Sequence, residues 1–168
     1  MKKVILVLVF ASFLSNAGKA QDYTKDVQSV DAIIKALYEV ISGEGDAPRN
    51  WDRFRYLFAA DARLVPTVKN ADSTNFTYRI LTPEEYITRF SSRKMGFYEW
   101  EISRKTEEYG TICHVFTTYA TKFTKDGEVT NRGINSIQLL KDKHRYYILH
   151  IFWGAENLGF PLPEKYLN

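Results

Sequence analysis

The stretch from Arg132 to Trp153, RGINSIQLLKDKHRYYILHIFW, constrains this chain more than any other. It reads as two β-strands, Gly133 to Leu140 and Arg145 to Trp153, joined across Lys141-Asp142-Lys143-His144. So long a run of apolar and β-branched residues must lie against something. In the second strand Tyr146, Ile148 and Phe152 fall on one side, and Tyr147, Leu149, Ile151 and Trp153 on the other. Both faces are therefore expected to be covered. Helices can cover one; a second identical subunit, or the C-terminal tail, can cover the other.

Two more strands precede this pair, Phe97 to Tyr109 and Thr111 to Thr124. The turns at Gly110, Lys125-Asp126-Gly127 and Asp142-Lys143 are so short that consecutive strands must be antiparallel neighbours, a meander. Upstream the apolar period changes. Val30, Ile33, Ile34, Leu37, Val40 and Ile41 make one stripe of a helix, with Asp31 as its cap and Ser42-Gly43 as its end. Asn50 can cap a second helix in which Trp51, Phe54, Leu57 and Phe58 share a face. Ala62 to Val68, which contains Pro66, reads as a short edge strand, and Phe76 to Leu81 allows another. Thr82-Pro83-Glu84-Glu85 is a capping box with proline at the first helical position, so its carboxylates are explained by helix initiation. The class is α+β, three helices packed on a curved antiparallel meander sheet.

The first twenty residues are set apart. Lys2 and Lys3, an apolar run from Val4 to Leu14, and small residues ending at Ala20 have the layout of a signal peptide cut before Gln21. That run is too short to cross a bilayer core, which needs about 20 residues. Three cations and no anions lie in this segment, so the full chain's 23 Lys+Arg against 20 Asp+Glu becomes 20 of each after cleavage. No basic run remains to make a nucleic-acid surface. The expected organisation is a signal peptide (1–20), a loose arm (21–29) and one domain (30–168), secreted or periplasmic, with no membrane segment in the mature form. The one cysteine, Cys113, reads as a buried hydrophobe.

Helix, a second helix with WDRFRYLFAADARLV, a third helix, then four strands ending in GINSIQLLKDKHRYYILHIFW resemble the NTF2-like superfamily, which includes SnoaL-like cyclases and ketosteroid isomerase. The RGINSIQL strand and the W-x-x-E ending at Trp153-Gly154-Ala155-Glu156 are similar to its secreted bacterial members. The resemblance implies a cone enclosing a pocket, usually in a homodimer. No catalytic position of those enzymes matches this chain residue by residue.

Two-residue hairpins would pair Thr118 with Asn135, Phe116 with Ile137, and Asn135 with His150. One face would then carry His114, Phe116, Thr118, Asn135, Ile137, Tyr146, Ile148, His150 and Phe152, an apolar lining with a few polar groups. From it, His114, Phe116, Thr118, Asn135, Tyr146 and His150 are the expected ligand-binding residues. His150 is the candidate general base, with Asn135 orienting a substrate, because imidazole exchanges a proton near neutral pH. A three-residue loop at Gly127 would slip the register by one and reverse the faces. The three histidines are dispersed, so no metal site and no cofactor are expected. Three readings follow: an exported small-molecule binder, an isomerase or dehydratase using His150 in the same pocket, or an interaction module whose cone is filled. A carboxylate facing His150 with a perturbed pKa would favour the enzyme, and a wholly apolar lining would favour binding.

Overall fold

The structure is a computed structural model that describes residues 21–72 and 75–168. The expected signal peptide lies outside the described residues. Three helices, α1 (Val30–Ile41), α2 (Trp51–Leu57) and α3 (Pro83–Ser91), pack on one six-stranded sheet. Its strands are β1 (Phe58–Lys69), β2 (Phe76–Tyr78), β3 (Tyr98–Tyr109), β4 (Ile112–Lys122), β5 (Asn131–Lys141) and β6 (Tyr146–Ala155), in the order β2-β1-β6-β5-β4-β3. The last four form the expected antiparallel meander. The sheet then continues past β6, because β1, at 12 residues, is longer than the anticipated short strand and pairs with β6 in parallel. The sheet is therefore mixed.

Local signals explain the helices. Ser29, two residues before the expected Asp31, caps α1 by accepting from the Ala32 amide at 3.1 Å, and Asp31 instead reaches Arg104 on β3. Asn50 accepts from Arg53 N at 2.9 Å to start α2. The Thr82–Glu85 capping box forms in full, with both reciprocal bonds present. The stripe Ile33, Ile34, Leu37, Val40 and Ile41 is buried against the sheet with Phe54 and Leu57 of α2. The segment 21–29 does not trail as a loose arm. Thr24–Val27 forms a 3-10 turn, Val27 is fully buried, and Arg53 donates to both oxygens of Asp26 at 2.7 and 2.9 Å.

Three irregularities bend the sheet around the helices. The ladder shifts after Phe58 in β1, at Ile102 in β3 and at Leu149 in β6. Each bulge adds twist and bends its strand, and together they turn a flat meander into a concave wall.

Candidate functional site

The register decides which side chains face the helices, and it differs from the two-residue hairpins expected. Between β4 and β5 the loop runs from residue 123 to 130, closed by Thr130 N donating to Thr121 O at 2.8 Å, so Thr117, not Thr118, opposes Asn135. That one-residue slip sends Cys113, Val115, Thr117, Tyr119 and Thr121 inward and His114, Phe116 and Thr118 outward. Between β5 and β6 the turn is held by Asp142, whose side chain accepts from His144 N and Arg145 N. Leu139 opposes Ile148, but Gln138 opposes His150, leaving Leu149 as an extra residue. Before the bulge Tyr146 and Ile148 point inward; after it Ile151 and Trp153 do, while His150 and Phe152 turn outward.

The six expected ligand-binding residues are therefore not brought together. Asn135 alone lines the cavity between the helices and the sheet. Tyr146 points inward but is buried in the core, its phenol donating to Glu108 at 3.2 Å. His150 lies on the outer face without a side-chain hydrogen bond among the described residues. On the same face His114 Nε2 and Ser136 Oγ are 3.0 Å apart. Phe116 packs on Tyr166 with ring centres 5.3 Å apart, and Thr118 Oγ1 donates to the Tyr166 carbonyl at 2.6 Å. The C-terminal tail thus covers part of the outer face. It is fastened by Arg132, which donates to Glu156 at 2.7 and 3.2 Å while Glu156 also accepts from Leu162 N at 2.8 Å.

The cavity itself, of about 640 Å³, lies between α1, α3 and the concave sheet. Leu37, Ile41, Phe54, Leu64, Phe97 and Ile151 supply its apolar wall; Glu99, Asn135, Tyr86 and Tyr119 are among its polar groups, with Arg93, Lys94 and four further polar residues also on the lining. Its volume is that of a small-molecule site, and its lining surface is more apolar than polar. Glu99 is held by α1: Ser42 Oγ at the helix end accepts from Glu99 N at 2.9 Å and lies within 3.1 Å of Glu99 O. Gly43 continues the clamp, exchanging backbone bonds of 2.7 and 2.9 Å with Phe97.

Withdrawal from water pushes the Glu99 carboxyl up to about 8, against the opposing pull of the Asn135 carboxamide and of Arg93. It is therefore mostly neutral at pH 7, able to donate as well as accept. Burial, with Glu99 nearby, also holds Tyr86 and Tyr119 above the ordinary phenol range, so both remain neutral donors. Neither phenol has a hydrogen-bond partner among the described residues. Tyr119 can sit where it does because position 133 is glycine; a Cβ there would come within 2.5 Å of its hydroxyl oxygen.

Behind the cavity a chain of bonds fixes Asn135. Thr117 Oγ1 donates to Glu101 at 2.7 Å. Thr117 then accepts from Tyr38 at 3.2 Å, and Asn135 Nδ2 donates to Tyr38 Oη at 3.1 Å. The amide nitrogen of Asn135 is thereby turned toward Tyr38 and Glu99. Sequence reasoning found Asn135 and missed Glu99, Tyr86 and Tyr119. The available signal was the parity of Phe97, Glu99 and Glu101, which places two carboxylates on the side of an apolar residue. Tyr86 follows the capping box directly and sits on the side of α3 that also carries Phe90.

No group of three metal-ligating side chains is placed together among the described residues, and none of the described helices is long and apolar enough to cross a membrane. Scans of the sequence against protein-family models and curated proteins match nothing. Solved structures do match. An NTF2-like protein from Cytophaga hutchinsonii superposes with a TM-score of 0.54 at 13% identity, over 74% of this chain and 96% of that one. The fold is NTF2-like. The association domain of C. elegans CaMKII shares it, with a TM-score of 0.52 at 16% identity over 74% of this chain and 92% of that one. So does an NTF-2-like protein of unknown function from Silicibacter pomeroyi, at 0.50 and 9% identity over 74% and 91%. At such identities the likeness is one of NTF2-like architecture, and function has to be argued from the cavity.

Proposed function

We propose that the protein is an exported NTF2-like domain, cleaved near Ala20/Gln21 and acting as a homodimer, that binds a small ligand with an apolar body in the cavity beneath α1 and α3. The observation that carries this reading is Glu99. A carboxyl held neutral at pH 7, beside Asn135 and the unpartnered phenols of Tyr86 and Tyr119, is suited to meet a carbonyl or hydroxyl on the ligand. A second reading has support from the same residue. A carboxyl with a pKa near the working pH is also what a proton-transfer enzyme of the isomerase or dehydratase kind uses, so Glu99 replaces His150 as its candidate base.

Native mass spectrometry of the purified mature protein tests the first reading by revealing a co-purified small molecule and the subunit number. The pH profile separates the two. A binder that uses neutral Glu99 as a donor holds its ligand below pH 8 and releases it as pH rises through about 8. An enzyme that uses ionised Glu99 as a base gains kcat/KM over the same interval. Glu99→Gln should keep much of the binding and lose its pH dependence, whereas it should abolish turnover, by about 10²-fold or more. An empty protein that binds nothing at any pH would leave both readings without support.

A further inference from the structure

The rim of the cavity names the ligand's other end. Residues 93–96 form one lip, and the backbone is pressed tightly there. A Cβ on Gly45 would come within 2.0 Å of Lys94 O, and one on Gly96 within 2.4 Å of Phe123 O. Together with the Gly43–Phe97 bridge, these close approaches tie the lip to two other loops, so the side chains it carries have a fixed base. Two of them, Arg93 and Lys94, line the cavity.

Arg93 is placed but not paired. Its guanidinium carbon stands 4.7 Å from the Phe90 ring centre and 5.0 Å from that of Phe97, contacts that orient it but take none of its N–H groups in conventional hydrogen bonds. Several other arginines of the chain are engaged, whereas Arg79 and Arg89 have no side-chain partner among the described residues. Arg49 donates to four backbone carbonyls' worth of loop, Arg53 to Asp26 and Glu39, and Arg132 to Glu156. Among the described residues Arg93 and Lys94 have neither a carboxylate nor a carbonyl for their side chains. Asp46 shares the hollow on the outer side of the lip but forms no ion pair with either. Glu99, the carboxyl deeper in the cavity, is mostly uncharged at neutral pH. Arg93, oriented by two rings, and the exposed Lys94 thus stand at the mouth of the chamber with no ion-pair partner among the described residues.

We infer that the ligand is an amphipathic carboxylate, its anionic head held at the lip by Arg93 and Lys94 and its apolar body inside the cavity. This rests on the cavity being a ligand site, as proposed above. A planar carboxylate matches the guanidinium fork, and a monoanion at the lip leaves the neutral interior undisturbed. The head also sits apart from the Glu99–Asn135 group, which is left to read a second polar function along the body.

The test uses straight-chain carboxylates of six to twelve carbons and the alcohols of the same lengths, titrated calorimetrically into the mature protein at pH 6.5. Carboxylates are expected to bind at least about tenfold more tightly than matched alcohols, since a hydrogen bond to a charged group exceeds a neutral one by about that factor. Arg93→Gln should remove that preference while leaving alcohol affinity in place, and Arg89→Gln, an exposed arginine on α3 away from the cavity, should not. Alcohols binding as well as carboxylates, or Arg93→Gln leaving the preference intact, overturns the inference while the cavity reading stands. Neither series binding overturns both.

Discussion

Glu99 couples the site to stability as well as to chemistry. Its carboxyl ionises near the ordinary 4.5 in the unfolded chain and near 8 in the folded one. Between those values the folded state binds the extra proton, so this residue's contribution is fully present below about pH 4.5 and is lost as pH rises through about 8. The melting temperature of the wild type should therefore fall between pH 5 and pH 9. Glu99→Gln, which stays neutral throughout, should flatten that decline and melt higher than the wild type at pH 9, by about 3 °C or more. Calorimetric scans at the two pH values decide it; parallel curves for the two proteins would mean that Glu99 is not withheld from water. Cys113 belongs to the same class of buried group with a different outcome. Burial and the nearby Glu108 push its thiol up to about 11, which leaves it an inert piece of core.

At the scale of elements, what could be read from the sequence was whatever local chemistry dictates. Thr82-Pro83-Glu84-Glu85 announces α3 because caps and proline act on adjacent backbone, and the stripe from Ile33 to Ile41 announces α1 because burial follows the helical period. The four long strands were legible for the same reason. Hidden from view were the features that depend on distant partners. The long β1 joins the sheet only because β6 offers it a parallel edge, and the bulge at Leu149 leaves no mark in an unbroken run of apolar residues. That bulge, with the slip at the β4–β5 loop, is why Asn135 faces the cavity and His150 does not. Deleting Leu149 should be far more damaging than truncating it. Leu149 is partly exposed, so Leu149→Ala should cost about 1 kcal/mol or less in chemical denaturation. Its removal would force either Tyr146 and Ile148 or Ile151 and Trp153 out of the interior, and no cooperative unfolding transition should remain. A deletion variant that unfolds like the wild type would show that the extra residue is dispensable.

For the whole molecule, the unresolved balance lies on the outer face of the sheet. The tail covers Phe116 and Thr118, and the Arg132–Glu156 pair pins its base. Beyond the tail Leu140, Leu149 and Phe152 remain partly exposed, Phe152 by 45%. Apolar side chains left exposed on a sheet face favour association, and the homodimer proposed above would bury them. Light scattering on the mature protein should give the mass of two chains, and Phe152→Glu should halve it without lowering the helix and strand content seen by circular dichroism. A wild type that runs as a single chain at micromolar concentration would show that the tail alone suffices.

Because Leu149 lets β6 cross from one side to the other midway, that strand obeys two parities. Up to Ile148 the even-numbered positions meet the interior; from Ile151 onward the odd-numbered ones do. The first half plugs the core and the second half, through Ile151, Trp153 and Ala155, walls the cavity. Substitutions in the second half can reshape what the chamber admits while the first half keeps the protein folded, so ligand preference in such a chain is free to drift without putting the scaffold at risk.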